Sequence, residues 1–228
     1  MPMSDVMSAY ATEKRFRPKR APERASYDKA LVHAVLDEAL MAHVAYTDEA
    51  GVPHVIPMYF VRDGESLLLH GSAKMGLAKA ARRGAPFCIN VTLLDGLVLA
   101  RSGFHHSVNY RSVTVHGVPE IVEGEEKTRA LDLTVERLAK GRAAEVRAAN
   151  VKEFKATVVL RLKLEQVAAK TRTGGVNDEP EDMELPVWAG VIPLHLAAGA
   201  PIADEQCAPG CAAPHLDLPG PLSARPAV

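Results

Sequence analysis

Three stretches of the chain set polar, hydrogen-bonding side chains where strand-forming sequence is otherwise apolar. In the first, Leu67-Leu68-Leu69-His70-Gly71-Ser72-Ala73-Lys74, a strand runs through a Gly-Ser turn into the start of a helix. Free backbone N–H groups, the Ser72 hydroxyl and the Lys74 cation converge there, which suits a phosphate. A serine cap followed by a solvated lysine accounts for the same residues. The second stretch is Arg101-Ser102-Gly103-Phe104-His105-His106-Ser107-Val108-Asn109-Tyr110-Arg111-Ser112-Val113. So many polar groups beside strands cost stability unless something pairs with them. Adjacent His105 and His106 on an extended chain point to opposite faces, a poor shared metal shell. A polar loop with one wet strand face is the plain alternative. In the third, Val52-Pro53-His54-Val55-Ile56-Pro57-Met58-Tyr59-Phe60, prolines interrupt the strand backbone. The N–H and C=O groups left open suit the edge of a planar heterocycle, or mark an ordinary edge strand. Trp188, the only tryptophan, either covers a ring or anchors the C-terminal segment to the core.

Other chemistries lack their signatures. No G-x-S-x-G elbow, P-loop, H-E-x-x-H or G-x-G-x-x-G is present. Of the three cysteines, Cys88 lies in an apolar run and reads as a small core residue. Cys207 and Cys211 share a Pro/Ala-rich tail with His195 and His215, too loose a set to assign a metal site. With 228 residues, 47% hydrophobic and a formal net charge of −1, the chain is not built as a general nucleic-acid binder. Its one basic cluster, Lys14 to Arg24, reads as a solvated arm. No apolar run approaches the roughly 20 residues of a membrane helix, and no secretory leader is visible, so a cytoplasmic protein is expected.

The elements that must position these stretches follow from periodicity. Ser26 can cap a helix over Tyr27 to Leu40, whose apolar residues recur at helical spacing. Strands are expected at 41–47, 52–60 and 66–70, with turns at Asp48-Glu49-Ala50-Gly51 and Arg62-Asp63-Gly64-Glu65. A short helix over Ala73 to Arg83 precedes strands at 86–92 and 97–102, joined through the hairpin dipeptide Asp95-Gly96. Further strands are expected at 110–116 and 157–164, with a long helix after Gly124 between them. Some seven short strands with three helices and no βαβ alternation predict an α+β, mainly β protein built on a small barrel.

Taken together and in order, several segments resemble one family. They are His54-Val55-Ile56-Pro57-Met58-Tyr59-Phe60 with its Asp63-Gly64 turn, Leu67 to Ser72, Leu94 to Val113, and Leu185 to Leu194. They look like the flavin-nucleotide-binding branch of the pyridoxamine 5'-phosphate oxidase superfamily, to which nitroimidazole-resistance reductases are related. The resemblance runs from about Ala25 to Ile202. It leaves residues 1–24 as a flexible basic arm, 25–202 as the domain and 203–228 as a Pro/Ala-rich tail. It implies a six-stranded antiparallel Greek-key split barrel, a homodimer, and FMN at the subunit interface. In such sites His54, Val55, Ile56, Pro57, Met58 and Tyr59 lie along the isoalloxazine. His70, Gly71 and Ser72 hold the ribityl-phosphate side, with Lys74 nearby. Tyr110, Arg111 and Ser112 lie close to the flavin, as do Ser107 of the His-His-Ser loop and Trp188. Relatives commonly place a cation near Met75-Gly76-Leu77, where this chain has none, so either Lys74 or Lys79 neutralises the phosphate or the affinity is reduced. The implied function is an FMN-dependent oxidoreductase working on a small molecule with a donor such as NAD(P)H, its catalytic residues unassigned. The alternatives are a flavin-storage protein, or a haem-binding relative in which His54, His70, His105 or His106 ligates iron.

Overall fold

The computed structural model describes residues 8–208, 210–214 and 216. After β1 (Ala25–Ser26), helix α1 spans Lys29–Glu38. Its cap is Asp28, which accepts from Leu31 N, and not Ser26, which is drawn into a strand. Strands β2 (Met41–Thr47), β3 (Pro53–Asp63) and β4 (Ser66–Ser72) follow, then α2 (Gly76–Arg82) and β5 (Phe87–Leu99). The second half holds β6 (Ser107–Gly117), β7 (Glu120–Val122), α3 (Gly124–Leu138), α4 (Arg142–Glu145), α5 (Val151–Ala156), β8 (Thr157–Lys163), β9 (Gln166–Arg172) and β10 (Gly190–Pro193).

The expected six-stranded barrel does not form. Ten antiparallel strands make one sheet in the order β1-β9-β6-β5-β2-β3-β4-β8-β7, with β10 added to β5. The ends of that path, β1 and β7, do not pair, so the sheet is not closed. Closure fails because the terminal strands are two and three residues long and offer almost no edge. Within the sheet, β3 and β4 are bonded only through Phe60–Asp63 and Ser66–Leu69. Beyond that point β3 stays with β2 and β4 stays with β8, so the two strands part.

One core fills the inner face. Phe60, Leu67, Leu69, Ile89, Val113, Val115, Leu160 and Leu162 meet Val32, Val35 and Leu36 of α1 and Leu77 of α2. A smaller cluster lies under α3, where Ala130 meets Val61, Leu68, Val122 and Val159. Two more expectations change. The strands predicted at 86–92 and 97–102 are one strand, β5, with a register shift between Leu94 and Gly96 in place of a hairpin. The basic residues 14–24, expected to be a flexible arm, lie across β9: Thr12 bonds Val167, Lys170 Nζ donates to Arg20 O, and Phe16 stacks on His116. No helix among the described residues is long and apolar enough to cross a membrane.

Candidate functional site

Alternation along β3 divides the expected flavin-lining residues between two faces. Val55 (62% exposed), Pro57 and Tyr59 share the outer face with Met41, His43 and Ala45 of β2, their register partners. Ile56 and Met58 point into the core. The Tyr59 hydroxyl is buried without a partner among the described residues; burial raises its pKa and the Arg137 charge opposes the rise.

His54, on the same side as Met58, opens instead into a cleft of about 430 Å3 lined also by Tyr46, Asp48, Glu49, Ala50, Gly76, Lys79 and Arg83. The imidazole stacks on Tyr46, centroids 5.2 Å apart, and its Nε2 lies 3.1 Å from Asp48 Oδ2. That hydrogen bond, with backbone N–H donors from Val52 and Ala50, holds the Asp48 carboxyl below its ordinary range. An ionised carboxylate only accepts, so Nε2 is the protonated nitrogen. A Cβ on Gly76 would stand 2.6 Å from the Tyr46 hydroxyl, so only glycine lets α2 start this close to the ring. Arg83 donates to Thr47 O, whereas Lys79 has no partner among the described residues.

His70-Gly71-Ser72 does not cap a helix as the sequence predicts. These residues extend β4, paired with Val159, Val158 and Thr157, and α2 begins four residues later. Ser72 Oγ accepts only from Lys74 N, at 3.3 Å, and Lys74 is exposed outside the cleft. Met75 Sδ covers Gly71, 2.6 Å from where a Cβ would be, with Met58 beside it. His70 is half-buried and makes no hydrogen bond among the described residues. Burial lowers its pKa, which favours the neutral imidazole.

Arg111 is fully engaged. Its Nε and Nη2 donate to Asp95 at 2.9 and 2.7 Å, and its Nη1 and Nη2 donate to Glu38 at 2.5 and 2.9 Å. Those carboxylates push the guanidinium pKa further up. Ser112 Oγ donates to Lys170 O. Ser107 opens β6 opposite Val98, and Tyr110 pairs with Leu94 and Arg172. His106 Nδ1 lies 2.9 Å from Ser102 O, and His105 lies 3.5 Å from Glu179. Trp188 stays 63% exposed, folded back over Gly190 at the start of β10.

The profile of the pyridoxamine 5'-phosphate oxidase family matches residues 28–171. The chain belongs to that family. Among solved structures, the flavocytochrome Anf3 from Azotobacter vinelandii is 37% identical, with a TM-score of 0.83 over 89% of this chain and 94% of that one. The FAD and haem binding protein from Mycobacterium smegmatis is 36% identical, with a TM-score of 0.79 over 84% and 94%. A 5-nitroimidazole antibiotic resistance protein from Bacteroides thetaiotaomicron is 25% identical, with a TM-score of 0.56 over 64% and 86%. No curated protein matches the chain.

In this member of the oxidase family, the structure joins His54 to Tyr46, Asp48, Lys79 and Arg83, and joins Gly71 to Met58 and Met75. It does not bring Tyr110, Arg111 and Ser112 to β3 within one chain. β6 lies three strands away in the sheet, about 14 Å at ordinary strand spacing. Sequence reasoning read Asp48 only as part of a turn and passed over Tyr46 and Arg83; the available signal was a histidine six residues after the turn's first aspartate. Cys207, Cys211 and His195 are exposed, and His215 lies outside the described residues. Among the described residues, no three His, Cys, Asp or Glu side chains are grouped to hold a metal ion.

Proposed function

We propose that this protein binds a flavin nucleotide and a haem and moves electrons between them. What carries the reading is likeness along most of the chain, at 37% and 36% identity, to a flavocytochrome and to a FAD and haem binding protein. The nucleotide we favour is FAD, named for the second of these relatives, in place of the FMN implied by the sequence resemblance. When bound, the flavin handles electrons in pairs and the haem iron takes them singly.

The chain offers candidate residues for each group. Lys79 and Arg83, which line the Tyr46–His54 cleft, suit a phosphate better than Ser72 and Lys74, which lie outside it. Asp48 fixes the His54 ring through Nε2, and Nδ1 makes no hydrogen bond among the described residues. Val55, Pro57 and the open side of β3 offer the apolar strip for the ring system. His70, which burial shifts toward the neutral form and which has no hydrogen bond among the described residues, is the candidate imidazole for iron. Arg111, held by Glu38 and Asp95, fastens the end of α1 to β5 and β6 and is not a phosphate ligand in this reading.

The purified protein should show flavin bands and a Soret band together. Mass spectrometry of the heat-released groups should give FAD and iron protoporphyrin. Flavin without haem, after expression with added haem precursor, would return the protein to a flavoenzyme acting on a small molecule with NAD(P)H. Failure to hold either group would sink the reading altogether.

A further inference from the structure

We infer that the cleft around His54 is an adenine subsite, in which the imidazole is the platform that selects FAD over FMN. The inference rests on the flavin binding proposed above and adds the residue that tells the two nucleotides apart. The platform is built from below. Tyr46, 9% exposed, lies against Phe87 of the core with ring centroids 5.9 Å apart. His54 in turn stacks on Tyr46, the two planes 20° apart. Asp48 holds the imidazole at Nε2 and is itself held by the N–H groups of Ala50 and Val52. One face of the ring is thus covered by Tyr46, while the His54 side chain keeps 41% of its surface exposed. A fixed, flat ring with one face open is what a nucleobase stacks on. The Tyr46 hydroxyl stands beside Gly76 in the same cleft and makes no hydrogen bond among the described residues. It can donate to or accept from the edge of a stacked base.

Charge does not choose the ligand here. Asp48 and Glu49 stand against Lys79 and Arg83 around a cleft that is open on one side. That balance gives a free anion no reason to settle in it. It leaves the two cations placed to meet phosphates that are attached to a base already held by stacking. What distinguishes the cleft is therefore its flat ring and free hydroxyl.

The path of β3 lets one molecule reach both places. The strip proposed for the ring system, Val55 and Pro57, lies on one face of the strand, and His54 lies on the other. From Pro53 to Tyr59, β3 is bonded to β2 alone, so among the described residues no strand separates the two faces along its free edge. FMN ends at its phosphate and would leave the open face of the imidazole bare. FAD continues past the phosphates to a purine, which can round that edge and lie on His54.

Calorimetric titration of the full-length apoprotein with FAD, FMN and ADP tests the subsite. FAD is expected to bind about tenfold more tightly than FMN, the scale of one stacked base. ADP should bind the apoprotein and should not bind the FAD-loaded protein. His54→Ala should lower FAD to the affinity of FMN, leave FMN unchanged and abolish ADP binding. Asp48 keeps its backbone donors in that variant, so the fold should hold, which circular dichroism checks. His54→Phe, a flat ring without the Asp48 bond, should restore a preference for FAD. Equal binding of FAD and FMN by the unsubstituted protein, or ADP binding to the FAD-loaded protein, overturns the subsite and leaves flavin binding intact. So does a preference that survives His54→Ala or that His54→Phe fails to restore. An apoprotein that takes up no flavin at all overturns the flavin reading, and the adenine subsite with it.

Discussion

Lys74 and Lys79 are five residues apart, yet the structure gives them different surroundings. Both are exposed, but Lys79 lines the cleft beside His54, while Lys74 lies outside it beyond the end of β4. If the cleft holds the phosphate end of the nucleotide, Lys79→Ala should weaken binding of FMN or FAD about tenfold or more, the value of one charge-assisted contact. Riboflavin, which has no phosphate, should be unaffected, and Lys74→Ala should change neither. Fluorescence-quenching titrations of the apoprotein measure all of these. Equal loss of riboflavin in the Lys79 variant would assign Lys79 to the fold and remove it from the site. At this scale the sequence displays residue types and hides partners. His54 and His70 are conspicuous as polar residues in apolar strands. That Asp48 holds His54 follows only from how the β2–β3 turn folds. That Arg111 is bound by Glu38, 73 positions away, follows only from tertiary packing, which places the end of α1 over β5 and β6.

Two Asp-Gly pairs in this chain meet different fates, and the contrast is a matter of neighbouring elements. Asp63-Gly64 forms the β3–β4 hairpin, Gly64 taking φ 57°. Asp95-Gly96 promises another and forms a bulge instead: the Asp95 carboxylate is bound by Arg111, and β10 lies against Gly96. A Cβ at Gly96 would come within 3.1 Å of both Ile192 O and Val191 Cγ1. Gly96→Val should therefore lift β10 off β5. Hydrogen exchange should show protection lost at residues 190–193 while β5–β6 remains protected; unchanged exchange at β10 would refute the close approach. The same limit explains the missed helix starts. Ser26 and Ser72 are good caps taken locally, but β9 and β8 recruit them as strand residues, so Asp28 caps α1 and α2 begins at Gly76. β8 was legible because its own alternating apolar residues determine which face is buried, whereas α3 was legible as a helix but buries Lys127, Ala130 and Thr134 and leaves Leu138 exposed.

At the scale of the whole molecule, the outer face of β2 and β3 leaves Met41 and Val55 exposed, and Phe104 is 91% exposed on the loop before β6. Apolar surface of this kind, with β6 unable to reach β3 within one chain, fits a twofold pair in which each copy completes the other's site. Sedimentation velocity at micromolar concentration should give a dimer, and Val55→Asp should yield monomers that have lost most of their flavin. A monomer that retains a full complement of flavin would refute this arrangement. The short terminal strands bear on the same question from another side. An open sheet ordinarily ends in rows of unpaired backbone groups that template further strands. Here one rim is two residues of β1 beside the ordered chain from Ser8 to Arg24, and the other is three residues of β7 leading directly into α3. Neither rim offers a run long enough to nucleate strand-by-strand growth. The longer edge left open is β3 from Pro53 to Tyr59, bonded to β2 alone, and there Pro53 and Pro57 lack the N–H groups that a further strand would need, so crowding should not drive this protein into fibrils.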